Sequence, residues 1–108
     1  MWIIKESQLK EFYGQNPDAQ SPLVAWIREI DAARFENFVE VKARFGSADA
    51  VGKNVVFDIG GNKYRLIVRF RYARAGQTPP VNGIAVVLFI GTHVEYDKLD
   101  VADLTRRV

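Results

Sequence analysis

The chain has 108 residues, 48% of them hydrophobic, with a formal net charge of +2 and no cysteine. That length fits one domain, spanning residues 1–108, around one core. The lack of thiols excludes disulfides, thiolate metal sites and a cysteine nucleophile, and the small positive charge gives only a mild bias toward polyanions. The longest apolar run, Ile84 to Ile90, is far short of the roughly 20 residues of a membrane helix. Met1-Trp2-Ile3-Ile4 is cut off by Lys5 and Glu6 before it could form a signal peptide. A cytoplasmic protein without membrane contact is expected.

Trp2-Ile3-Ile4 reads as a first strand. Ser7 is placed to cap a helix carrying Leu9, Phe12 and Tyr13 on one side, and Gly14 to end it. Asn16-Pro17-Asp18 is a turn. Ser21-Pro22 then predicts a second helix start, with Leu23, Trp26, Ile27, Ile30 and Ala33 at helical spacing and Arg28, Glu29 and Asp31 outward. Phe35, Phe38, Val39 and Phe45 predict a shorter third helix, broken by Gly46-Ser47-Ala48-Asp49.

Val51-Gly52 leads into the most informative stretch, Val55 to Phe70. Two alternating runs flank Gly60-Gly61-Asn62, the pattern of a tight hairpin. A two-residue turn at Gly60-Gly61 or at Gly61-Asn62 puts Val55, Phe57 and Ile59 on the same face as Tyr64, Leu66, Val68 and Phe70. The other face of the second arm then carries Arg65, Ile67, Arg69 and Arg71. Ala75 to Gly83, with two prolines and two glycines, is a loop. Ile84 to Ile90 is apolar on both parities and predicts a strand covered on both sides, closed by Gly91. Thr92-His93-Val94-Glu95 matches a capping box and starts a short last helix with Tyr96 and Leu99, which residues 101–108 extend or fray. Helices followed by a strand meander imply an α+β fold, a small antiparallel sheet with helices on one face.

Two features could carry chemistry. His93 is the sole histidine, which excludes a multi-histidine metal site and two-histidine acid–base catalysis; it stands where a strand hands over to a helix, as a site residue or as a histidine bonding a nearby carbonyl. Arg65, Arg69 and Arg71, with Lys63 at the hairpin tip, form either a clamp for an anion or a solvated face on which Arg65 pairs with Asp58. Gly60-Gly61-Asn62 lacks the phosphate-loop pattern, and turn chemistry explains it.

The strings G-G-N-K-Y-R-L-I-V (Gly60 to Val68) and G-T-H-V-E-Y-D-K (Gly91 to Lys98) resemble two signature strings of the HigB toxin family, a branch of the RelE/ParE-like toxins. Ser21 to Trp26 and Val41 to Asp49 are similar to that family too. The resemblance implies a RelE/ParE-like fold and a ribosome-dependent mRNA endoribonuclease that needs no metal or other cofactor. It also implies silencing by a HigA-type helix-turn-helix antitoxin, with DNA contacted only through that antitoxin. Carried over by resemblance, the catalytic candidates are His93, Arg65, Lys63 and Tyr96. The RNA-binding candidates are Asn62 and Asp97 from the two motifs, with Arg69 and Arg71 added from the arginine strand. His93 is the preferred proton-transfer group, Arg65 and Lys63 the phosphate stabilisers, and Arg69 lies further along the same groove. Tyr96 is placed to orient or stack a nucleotide, and Glu95 to cap. One departure is the long Ala73–Gly83 loop, where a shorter turn is expected. The alternatives are a ParE-like poison of a protein such as gyrase and a non-catalytic RNA-binding module.

Overall fold

The computed structural model describes residues 1–74, 76 and 82–101; the tip of the proline-rich loop and residues 102–108 lie outside them. The elements in order are β1 (Trp2–Ile4), α1 (Glu6–Gln15), a 3-10 turn (Pro17–Ala19), α2 (Gln20–Ala32), α3 (Phe38–Arg44), β2 (Asp49–Val51), β3 (Asn54–Ile59), β4 (Tyr64–Arg71), β5 (Ile84–Thr92) and α4 (His93–Asp97). The fold is α+β. One five-stranded sheet has the order β1-β5-β4-β3-β2, with β1 parallel to β5 and every other pair antiparallel. Among the described residues no helix is long and apolar enough to cross a membrane.

The β3–β4 register pairs Ile59 with Tyr64, Phe57 with Leu66 and Val55 with Val68. This is the register of the Gly61-Asn62 turn. The connection is wider than two residues, however: Gly60, Gly61 and Asn62 all have positive φ (67°, 63° and 78°), and the ladder starts only at Tyr64. Phe57 sits at the centre of the resulting core. Its ring meets Trp26 of α2 at 5.5 Å, Phe45 at 5.1 Å and Phe70 at 6.2 Å, all edge-to-face, the geometry that aromatic quadrupoles favour. Leu9 of α1, Leu23, Trp26 and Ile30 of α2 and Val41 of α3 complete this layer.

Several element ends differ from expectation. Ser7 and Ser21 lie inside helices and do not cap them. The chain enters α1 through Lys5 at φ 66° and enters α2 from a turn that is already helical, so neither start has the extended residue from which a hydroxyl can cap. Pro22 sits in the first turn of α2, where a missing N–H costs nothing. Gly14 is inside α1, which ends instead where Asn16 bonds the Phe12 carbonyl through its backbone N (2.8 Å) and its Nδ2 (3.0 Å). In α3, Val41 turns inward while Val39 is exposed; Asn37 caps it by accepting from the Glu40 amide at 3.1 Å. Phe35 and Phe45 flank this helix and pack into the core. Asp49–Val51, expected as irregular chain, forms an edge hairpin with β3 through Gly52 at φ 61°, a turn that glycine permits.

Strand β5 runs past Gly91 to Thr92 and contains a bulge: Ile67 pairs with Phe89 but Val68 pairs with Val87, so Leu88 is the extra residue. Ala85 and Val87 are fully buried on the helix side, whereas Leu88, Phe89 and Ile90 are only half-buried. The expectation of complete cover on both sides therefore fails for this segment. Among the described residues its outer side is roofed by α4 and residues 98–101, which form a second, small cluster of Val56, Ile67 and Val101 with Leu88, Phe89, Tyr96 and Leu99 around it.

Candidate functional site

The pairing of Arg65 with Gly91 and of Tyr64 with Thr92 brings the start of α4 beside the start of β4. Helix α4 is fixed there by a complete capping box: Glu95 accepts from the Thr92 backbone N at 3.0 Å, and Thr92 Oγ1 accepts from the Glu95 N at 3.3 Å. Glu95 is thus the capping residue expected. Gly91 is required at its position, since a Cβ there would lie 2.6 Å from the Phe89 ring and 3.1 Å from Glu95 Oε1. The missing side chain lets the Phe89 ring close under the β5–α4 junction.

Arg65 is the hub of this end. Its guanidinium lies 5.1 Å from the centre of the Tyr96 ring, a cation–π distance, and its Nη1 lies 2.9 Å from Asp58 Oδ1 across the β3–β4 pair. Both side chains are about three-quarters buried. The cross-strand pair is the one expected from register, and Asp58 is a site neighbour that the motifs did not nominate; its parity opposite Arg65 was the available signal. Five buried side-chain polar atoms make no hydrogen bond among the described residues; two of them, Arg65 Nε and His93 Nε2, belong to residues at this end, and a third, Asp58 Oδ1, is held by the ion pair with Arg65. Buried polar atoms are almost always bonded in folded proteins, so such a concentration marks a place prepared for something else.

The remaining candidates are elsewhere. Lys63 forms a close ion pair with Asp18 of the 3-10 turn, and Tyr64 Oη donates to the same carboxylate at 2.7 Å. These bonds, from Lys63 first and Tyr64 second, hold the Asp18 carboxyl below the usual carboxylate range; the carboxylate in turn raises the Lys63 and Tyr64 pKa values. In this arrangement the Lys63 ammonium is turned toward the helix side. Asn62 and Asp97 are exposed, on the hairpin turn and at the end of α4, with no ion pair or side-chain hydrogen bond among the described residues. Arg69 and Arg71 share the outer face with Arg65, but Ile67 and its apolar cluster stand between them. Asn54, paired with Arg69, holds the chain after α4 in place through Nδ2 to the Val101 carbonyl at 2.8 Å. At about 3.3 Å per residue, Arg69 is roughly 13 Å and Arg71 roughly 20 Å along the strand from Arg65. The outer face thus holds two separate arginine regions.

An α+β fold of this layout is that of the RelE-like toxins. Residues 19–99 match the sequence model of a family described as the RelE-like toxic component of a toxin-antitoxin system, the HigB toxins. The match covers most of the chain, which belongs to the HigB toxin family. It is accordingly the toxin of a toxin–antitoxin pair, with an antitoxin as partner. No curated protein matches the sequence.

Proposed function

We propose that this HigB-family toxin is an mRNA endoribonuclease that acts on the translating ribosome in the cytoplasm, blocks translation, and is held silent by a HigA-type helix-turn-helix antitoxin. The observation that carries this reading is the pair of unbonded polar atoms, Arg65 Nε and His93 Nε2, on residues at the β4–β5 end, with Arg65 held there by Asp58. Cleavage of RNA without a metal has three needs. A base takes the proton of the ribose 2′-hydroxyl as its oxygen attacks phosphorus, an acid returns a proton to the departing 5′-oxygen, and cations stabilise the pentacoordinate phosphate. His93 serves as one proton-transfer group. Arg65, oriented by Asp58 and by the face of Tyr96, offers its free donors to the phosphate. Tyr96 takes a base or positions the ribose. The pairing of Lys63 with Asp18 moves it from the phosphate to hairpin positioning, and Asn62 and Asp97 serve as flanking contacts.

The test is to incubate the protein with programmed ribosomes and map mRNA ends. Codon-phased cuts are expected, and His93→Ala should slow them by roughly 10²–10⁴-fold without changing the melting temperature. Arg65→Ala should slow them as well but also lower the melting temperature, because it leaves the largely buried Asp58 unpaired. An intact message with arrested DNA replication would point to a gyrase-type target and overturn the proposal.

A further inference from the structure

The far end of the outer face has an unusual balance. Trp2 is 71% exposed although its neighbour Ile3 is buried, because successive strand residues point to opposite faces. Trp2 pairs with Ile84, and Ile84 pairs with Arg71, so the three form one row across β1, β5 and β4. Arg69 lies in the next row. A cavity of about 570 Å³ adjoins this row, lined by Arg71, Arg74, Tyr72 and Ile84 with Glu36 as the one carboxylate. Among the described residues, the ion pairs engage Lys10, Lys42, Arg44, Lys63 and Arg65. None engages Arg69, Arg71 or Arg74. Arg69, Arg71 and Arg74, all outside those ion pairs, thus gather beside the exposed tryptophan, with Arg34 tied to them by Nη2 donating to the Arg74 carbonyl at 3.3 Å. Arg28, also outside the ion pairs, lies apart on α2.

Two strand spacings put Trp2 roughly 10 Å from Arg71. An aromatic face flanked by unpaired guanidinium groups suits a ligand that alternates flat bases with phosphates. An acidic peptide would satisfy the arginines but leave the ring face without a specific partner. The chain's own last residues carry the wrong sign, with Arg106 and Arg107 against Asp103.

We propose that this end of the outer face is an RNA exosite, in which Trp2 stacks on a base and Arg69, Arg71 and Arg74 take phosphates of the same single strand. It rests on the nuclease reading for its biological role, and it holds RNA roughly 20 Å from Arg65, the length of β4. Affinity for the strand then comes from one site and cleavage from the other.

The probe is a short 2′-O-methyl oligoribonucleotide, which binds but cannot be cut. The chain has only two tryptophans and Trp26 is 3% exposed, so quenching of tryptophan emission reports on Trp2. Saturable quenching is expected. Anisotropy of the labelled oligonucleotide should show Trp2→Ala binding roughly tenfold more weakly while Trp2→Phe stays close to the parent. Arg71→Ser with Arg74→Ser should flatten the slope of log affinity against log salt by roughly 0.7 per lost phosphate contact. Absence of quenching, an unchanged slope, or equal quenching by polyglutamate would overturn the exosite, the last by making the face a dock for acidic protein. Ribosomal cleavage is scored separately. Cuts without oligonucleotide binding reject the exosite alone, and binding without cuts rejects the nuclease reading alone.

Discussion

On the helix-covered face of the sheet, Val55, Phe57, Ile59, Tyr64, Leu66, Val68 and Phe70 are all buried, while on the other face the buried apolar residues are Val56, Ile67 and Val101. The first face is closed by three helices and a ring of edge-to-face aromatics. Among the described residues the second is roofed by a five-residue helix and residues 98–101, and it keeps arginines, Asp58 and half-exposed apolar groups. Close packing on one face supplies stability, which frees the other to keep polar atoms unbonded at a cost of about 1–3 kcal/mol each. The contrast explains how one strand, β4, serves both: its even positions from 64 to 70 hold the core, and its odd positions 65, 69 and 71 present cations.

The largest expected effect tests that division directly. Leu66→Ala, at a fully buried position of the helix-covered face, should lower the unfolding free energy by roughly 2–5 kcal/mol, a large share of what so small a domain has. Leu88→Ala, at the half-buried bulge, should cost about 1 kcal/mol, since much of its side chain already meets water. Urea unfolding of both variants gives the comparison. Equal losses would mean that the outer face contributes to the core as much as the inner one.

A smaller effect sharpens the account of the outer face. Asn54 is fully buried, and its Nδ2 to the Val101 carbonyl, 2.8 Å, is the polar tie that pulls the tail down between the two arginine regions. Asn54→Ala leaves that carbonyl without its donor and should cost about 1–3 kcal/mol. Amide exchange should speed up at Leu99 to Val101 more than in β3 and β4. Uniform acceleration along the chain would show that Asn54 supports the whole sheet and does not specifically anchor the tail.

What the sequence disclosed follows from how local each determinant is. The β3–β4 pairing was legible because parity and the Gly60-Gly61-Asn62 turn act over a few residues, and the α4 cap because Thr92 and Glu95 are three apart. The Leu88 bulge was not legible: it arises from the fit of β5 against β4, and apolar residues of both parities conceal it. Ser7 and Ser21 misled because a good capping residue works only after an extended one, and tertiary packing sets that entry angle. Within the candidate site, the motifs brought Arg65, Tyr96 and His93 to one end. They did not disclose the pairing of Lys63 with Asp18, because Asp18 is 45 residues away in sequence and no short pattern links the two.

The last comparison sets the hairpin tip against the site beside it. Lys63 and Arg65 are two residues apart, yet one is held by Asp18 on the helix side and the other by Asp58 on the sheet. The Asp18 carboxyl titrates lower in the folded protein than its ordinary value of 3.8, because Lys63 and Tyr64 bond its charged form. A lowered folded pKa contributes stability that is present above the unfolded value and is lost as pH falls through the folded one. Lys63 and Tyr64 are raised from 10.5 and 10.0, so their share is present below those values and is lost as pH rises through the folded ones. The tie is therefore strongest between about pH 4 and pH 10. Asp18→Asn, which keeps an acceptor for Tyr64 but removes the charge, should melt slightly lower than the parent across that window, with the gap closing below about pH 4. The difference should stay well under the Leu66 effect, since both partners of the pair are largely exposed. A gap in melting temperature that stays constant down to pH 3 would show that the charge of Asp18 does not hold the tip, and would return Lys63 to the candidates for the RNA side.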